Sequence, residues 1–170
     1  MIDVVVIAGP SGVGKSATAF EMSNQLRVAG VPHAVIDTDA LDHVYPPPEN
    51  QWQLTERNLA AVWETFFEGG ARRLVVSGVH LNRRGEQEWV RRATRGDRFT
   101  LVQLAASDAA LAARLRQREI GSGRDRHLER MLRHLKAQPK DLSPDTRLFE
   151  TERRSLEETA ARIIEVVGWT

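Results

Sequence analysis

The chain has 170 residues, and its 24 basic and 23 acidic side chains leave a net charge of +1. That length predicts one domain spanning residues 1–170 with a full core, and the near-neutral balance gives no ground for nucleic acid or an acidic membrane as partner. The absence of cysteine excludes disulfides and thiolate metal centres. No apolar stretch approaches ~18 residues and the N-terminal run is too short for a signal segment, so a cytoplasmic protein is expected.

The elements alternate in chain order. Val4–Ala8 is a β-branched apolar run and reads as a buried strand. Lys15–Ala29 follows with apolar residues at helical spacing, closed by Gly30. Ala34-Val35-Ile36 predicts a short strand ending at Asp37. Pro46-Pro47-Pro48 makes 44–50 a loop. Leu54–Phe67 predicts a helix with Leu59, Val62, Trp63 and Phe66 on one face, ended by Gly69-Gly70. Leu74–Val76 and Thr100–Leu104 are further strands, separated by a short helix over Glu86–Arg95. Ser107-Asp108 caps a helix to about Arg118, Gly121-Ser122-Gly123 interrupts it, and Asp125–Ala137 reads as a charged helix. Arg147-Leu148-Phe149 is the last expected strand, and Ser155-Leu156-Glu157-Glu158 is a capping-box start for a helix to Val167. Strands alternating with helices predict an α/β fold with a parallel sheet covered on both faces. In such sheets ligands lie outside the carboxyl ends of the strands, so the informative residues are Gly9–Ser16, Asp37–Asp39, Ser77–His80, Ala105–Ser107 and Thr151–Arg153.

Gly9-Pro10-Ser11-Gly12-Val13-Gly14-Lys15-Ser16 fits G-x-x-x-x-G-K-[ST] between a strand and a helix, the context that motif requires. Glycines 9, 12 and 14 let backbone N–H groups approach phosphate oxygens. The following helix aims its positive end at the same anion. Lys15 is positioned to reach the terminal phosphates, and Ser16 offers a hydroxyl to Mg²⁺. The same geometry predicts contacts from the loop backbone at Ser11, Val13 and Ala17. The only other lysines are Lys136 and Lys140. The Asp-x-x-Gly and Asn-Lys-x-Asp signatures of Ras-type GTPases are absent, and so is an apolar strand ending in Asp-Glu.

The chain resembles the P-loop kinases of small molecules: gluconate kinase, shikimate kinase, adenylylsulfate kinase and chloramphenicol phosphotransferase. The carrying residues are Gly9–Ser16, Asp37-Thr38-Asp39, the run Leu111–Glu119 and Thr151–Glu158. The resemblance implies a three-layer P-loop NTPase fold with a five-stranded parallel core, ATP as donor with Mg²⁺, and a small arginine-rich lid at about 116–128. It implies a phosphotransferase moving the γ-phosphoryl group of ATP to a hydroxyl of a metabolite, nucleotide or antibiotic. By that resemblance Asp37 lies near the Mg²⁺ shell and Asp39 contacts the acceptor. Either is a candidate base, and the same Asp-Thr-Asp is also a helix-capping sequence. Arg114 is then expected against the adenine or phosphates, Arg118 as the lid arginine, Arg124 beside it, and Arg153 in the loop that packs the adenine. Lys15, Asp37, Asp39 and Arg118 form the expected catalytic set.

Guanidinium groups suit this task because they meet charge on a phosphoryl group in transit without losing a proton. Arg83 and Arg84 are candidates for an anionic acceptor or simply surface residues. His43, Tyr45 and Trp52 fall in or beside the expected acceptor loop, whereas Trp63, Trp89 and Trp169 have the spacing of packing residues. His127 and His134 match no zinc spacing. Two other readings remain open. One is a regulatory or accessory ATP-binding protein without transfer to a small molecule, which has no need of an acceptor base. The other is a kinase of nucleic-acid ends, which lacks the basic, aromatic-bearing surface such a partner requires. A monomer or a homodimer is compatible with the sequence.

Overall fold

The structure is a computed structural model, and it describes residues 1–78, 81, 84–118, 129, 142 and 145–170. Five strands, β1 (Asp3–Ala8), β2 (Ala34–Asp37), β3 (Arg73–Ser77), β4 (Arg98–Ala105) and β5 (Arg147–Glu150), form one sheet in the order β2-β3-β1-β4-β5. Every neighbouring pair is parallel. The described helices are α1 (Lys15–Val28), α2 (Gln51–Glu68), α3 (Arg84–Thr94), α4 (Asp108–Arg118) and α5 (Leu156–Val167), with a short 3-10 turn at Thr38–Ala40.

Parallel strands need crossovers, and the crossovers cover both faces. A central strand then has no wet side, which explains why all six residues of β1 are buried. Its alternate side chains feed two cores. Val5 and Ile7 pack with Ala19, Met22 and Leu26 of α1 and Ile163 and Val167 of α5. Val4 and Val6 pack with Leu59 and Trp63 of α2 and Trp89 and Val90 of α3. Each such fully buried Val, Leu or Ile stabilises the fold by about 1.5–3 kcal/mol relative to exposure.

The expected elements are present, with shifted ends. α2 begins at Gln51 rather than Leu54, because its first turn carries exposed polar residues and Trp52, which periodicity does not register. α3 begins at Arg84 and β4 at Arg98, each two residues earlier than expected. The capping box is formed: Ser155 Oγ accepts from Glu158 N at 3.1 Å, and Glu158 Oε2 accepts from Ser155 N at 3.0 Å. Of the face expected on α2, Leu59 and Trp63 are buried, Val62 packs against them partly buried, and Phe66 is 40% exposed. The charged helix expected over Asp125–Ala137 lies outside the described residues.

At the N-terminal end of the sheet, Asp3 Oδ2 accepts from Trp169 Nε1 at 2.9 Å and faces Arg98 Nη1 at 3.4 Å. This contact fastens the end of the chain beneath β1 and β4, away from the strand ends that position the site. No helix among the described residues is long and apolar enough to cross a membrane.

Candidate active site

β1 stops at Ala8 and the chain turns through residues 9–14 before α1 starts at Lys15. Gly9 has φ +146°, and a Cβ there would stand 2.7 Å from the Leu104 carbonyl oxygen of β4. Only glycine allows that backbone path and that close approach. Gly12 and Gly14 also have positive φ. The first helical N–H groups of α1, from Lys15 onward, have no intrahelical acceptor and face the loop. Anions are favoured at such a terminus by aligned dipoles as well as by hydrogen bonds. Lys15 is buried, with Nζ donating to the Pro10 carbonyl at 3.1 Å. Its charge therefore sits over the loop it would share with a phosphate.

Across the cleft, β2 delivers Asp37 to the same point. Ser16 Oγ donates to Asp37 Oδ2 at 2.5 Å. Asp37 Oδ1 accepts from Asp39 N at 3.0 Å and caps the 3-10 turn. The site reading and the capping reading of this residue therefore coexist, one oxygen each. Asp39 is exposed on that turn. Thr38 Oγ1 donates to the Ser77 carbonyl at 3.0 Å, fastening the turn to the end of β3. Gly78 is required there, since a Cβ would lie 2.1 Å from Thr38 Oγ1.

Magnesium is bound by few protein groups, commonly one or two carboxylates with substrate phosphates and waters. A hydroxyl and a carboxylate held together at the mouth of a phosphate loop fit that demand. Among the described residues there is no cluster of three acidic or histidine side chains for a metal held by protein alone.

On the other side of the loop, Arg114 of α4 reaches three acceptors. Its Nη1 donates to the Val13 carbonyl at 3.4 Å and to Thr151 Oγ1 at 3.2 Å, and Nη2 to the Thr151 carbonyl at 3.5 Å. A cavity of about 250 Å³ opens here, lined by Val13, Gly14, Thr18, Arg114, Thr151 and Arg154 among others. Arg153 lines a separate space of about 500 Å³ with Ser107 and Glu152. The loops after β4 and β5 are stapled by a hydrogen bond from Ser107 N to Glu152 Oε1. The Glu152 carboxyl is held below its ordinary range first by the Ser107 side chain and then by this backbone hydrogen bond, with Arg114 and Arg153 adding to them. A larger groove of about 700 Å³ lies between Phe20, His33 and Phe66 beside the start of β2. It is remote from the strand ends and carries no lysine, arginine or carboxylate, so the glycine loop is the better candidate site.

The structure thus brings Gly9, Ser11, Gly12, Val13, Gly14, Lys15, Ser16, Ala17, Asp37 and Arg114 to one cleft. Arg118 closes α4. Arg124 and the remainder of the expected lid, 119–128, lie outside the described residues, as do His80 and Arg83. Thr151, Ser107 and Glu152 fall in the stretches after β4 and β5 that the sequence singled out, and Arg154 in the Thr151–Glu158 run, but their contacts with Arg114 and with one another were not foreseen. Their one available signal was position, since they follow β4 and β5 at the carboxyl end of the sheet.

The same architecture recurs in solved structures. A gluconokinase from Sinorhizobium meliloti aligns over 98% of this chain and 91% of its own, at 24% identity and TM-score 0.59. The tunicamycin resistance protein of Deinococcus radiodurans aligns over 100% of this chain and 98% of its own, at 17% identity and TM-score 0.64. APS kinase from Mycobacterium tuberculosis, solved with AMPPNP and APS, aligns over 98% of both chains at 19% identity and TM-score 0.61. The fold is that of the P-loop kinases of small molecules. No family model matches the sequence, and no curated protein matches it either. The P-loop kinase fold accounts for the strand order and for the glycine loop at its centre.

Proposed function

We propose that this protein is an ATP- and Mg²⁺-dependent phosphotransferase that moves the γ-phosphoryl group to a hydroxyl of a small molecule. The Ser16–Asp37 hydrogen bond carries the reading. It joins the end of the phosphate loop to the first acid of the Asp37/Asp39 pair, and a protein that only bound ATP has no need of the acceptor base that this pair supplies. The APS kinase of the same fold was solved with an ATP analogue and a second small molecule, which supports a two-substrate cleft here.

In this reading the triphosphate lies on the N–H groups of residues 9–16, with Lys15 on its terminal phosphates. Ser16 and Asp37 would hold Mg²⁺, which would neutralise charge on the β- and γ-phosphates. The acceptor oxygen forms a bond to the γ-phosphorus as the bond from that phosphorus to the β,γ-bridging oxygen breaks. The hydroxyl proton passes to a carboxylate, and ADP and a phosphate ester leave. With Asp37 given to the metal, Asp39 on the exposed turn two residues on is the proposed base. Arg114, with Thr151 and Arg154, borders the space for the nucleoside. Arg118 and Arg124 are proposed to meet the charge in transit.

The test is ADP release with Mg²⁺-ATP over a panel of sugar acids, polyols, nucleosides, and aminocyclitol and phenicol antibiotics. Alcohol-dependent ADP release with a matching phosphate ester supports the reading. Nucleotide binding with no alcohol-dependent release from any class would point to a regulatory ATP-binding protein instead.

A further inference from the structure

Three buried side-chain oxygens among the described residues have no hydrogen-bond partner: Asp3 Oδ1, Ser77 Oγ and Thr146 Oγ1. Asp3 starts β1 and Thr146 immediately precedes β5, so both lie at the amino end of the sheet, away from the cleft. Ser77 closes β3 at the carboxyl end and is fully buried. An unpaired hydroxyl in that position destabilises the free protein, and in a native fold it points to a partner acquired later.

The sheet fixes what stands beside it. β3 runs between β2 and β1, and Ser77 is in register with Asp37 on one side and Ile7 on the other. Residues two apart along a strand share a face. Val75 and Ile7 belong to the core that packs on α1, and Val35 packs against it. Asp37 and Ser77 therefore project on the α1 face too, from adjacent strands about 4.8 Å apart. Ser16, in the first turn of α1, donates to Asp37 Oδ2 at 2.5 Å. The Ser77 hydroxyl thus lies beside the serine–carboxylate pair and bonds to neither member.

The backbone holds it there. The Ser77 carbonyl accepts from Thr38 Oγ1 at 3.0 Å, and the next residue, Gly78, donates from N to the Ile7 carbonyl at 3.3 Å. Asp37 accepts one hydrogen bond at each oxygen, from Ser16 and from Asp39 N. A carboxylate offers about four lone-pair sites, so it can accept from a further donor. Groups that ligate a metal are commonly oriented by such a hydrogen bond from outside the ligand set.

Resting on the metal-site reading above, we infer that Ser77 is a positioning residue for the Ser16–Asp37 pair. Its hydroxyl is unpaired in the free protein and donates to the Asp37 carboxylate when that carboxylate turns to a bound Mg²⁺. Ser77 touches neither nucleotide nor acceptor and acts through Asp37. The empty site is less stable for this arrangement, and the loaded site is better ordered.

The experiment compares wild type, Ser77→Ala and Ser77→Thr by thermal denaturation without ligand and by isothermal titration with AMPPNP, in EDTA and in Mg²⁺. Ligand-free Ser77→Ala should melt at or above the wild-type temperature, because it loses an unpaired buried hydroxyl. Its AMPPNP affinity in EDTA should stay within about twofold of wild type, while the strengthening by Mg²⁺ should be about tenfold smaller. Ser77→Thr keeps the hydroxyl and should keep most of that strengthening. A purely structural serine would leave the Mg²⁺ effect unchanged in Ser77→Ala, and that result would overturn the inference. So would an equal loss of affinity in EDTA, a markedly lower melting temperature of ligand-free Ser77→Ala, or a folded Ser77→Thr as impaired as Ser77→Ala. Wild-type protein that bound AMPPNP without help from Mg²⁺, or did not bind it, would instead overturn the metal and nucleotide reading beneath it.

Discussion

The two halves of the cleft are built differently. The phosphate loop is buried and hemmed in, with Gly9 against β4 and Arg114 bridging Val13 to Thr151. The segment proposed to read the acceptor is exposed over residues 43–53 and anchored mainly at its ends. A triphosphate is the same in every reaction of this type, so its cradle can be rigid and preorganised. Acceptors differ, and the side that reads them is carried on a loop that packing does not constrain.

The sharpest way to break the donor half is Lys15→Ala. Turnover should fall by about 10²-fold or more for loss of a charge-stabilising group, with the fold retained by circular dichroism. Asp39→Asn tests the acceptor half. It should lower kcat by about 10²-fold, as expected for loss of a general base, while the nucleotide affinity stays within about twofold. An equal loss of nucleotide binding would show that the two halves are not separable. A milder and opposite pattern is expected for Arg114→Ala. The KM for ATP should rise about tenfold, with a smaller change in kcat, as for loss of ground-state binding; steady-state kinetics at saturating acceptor decides it.

The smallest effect concerns the staple between the loops after β4 and β5. The Glu152 carboxyl is held below its ordinary range chiefly by Ser107. A group with a lowered value in the folded state adds stability above its unfolded range, and loses that contribution as pH falls through the lowered value. Wild-type protein should therefore be slightly more stable than Glu152→Gln at neutral pH, and the difference should close in acid. Urea denaturation across that range measures it, and a difference that grew on acidification would contradict the assignment.

Much of the donor half was legible in the sequence because its chemistry is local. Strand, glycine loop and helix are contiguous, and the roles proposed for Gly9, Lys15 and Ser16 are carried by residue type and spacing. Asp37 was legible through position, as the acid directly after a strand. What could not be read depends on pairing across the chain. The order β2-β3-β1-β4-β5 is set by tertiary contacts and leaves no periodic trace. The Ser107–Glu152 staple spans 45 residues. Arg153 and Arg154 are adjacent in sequence, yet they line different spaces, a distinction made by the backbone after β5. Phe66 lies on the apolar stripe of α2 yet is 40% exposed, lining a groove beside the start of β2, a difference in burial that periodicity does not carry.

The central claim is that residues 9–16 grip a triphosphate, and isothermal titration with a nonhydrolysable ATP analogue, with and without Mg²⁺, tests it most directly. The account predicts saturable binding to the wild-type protein that Mg²⁺ strengthens, and binding at least about tenfold weaker in Lys15→Ala. No binding by the wild type, or equal affinity in the two proteins, would contradict it.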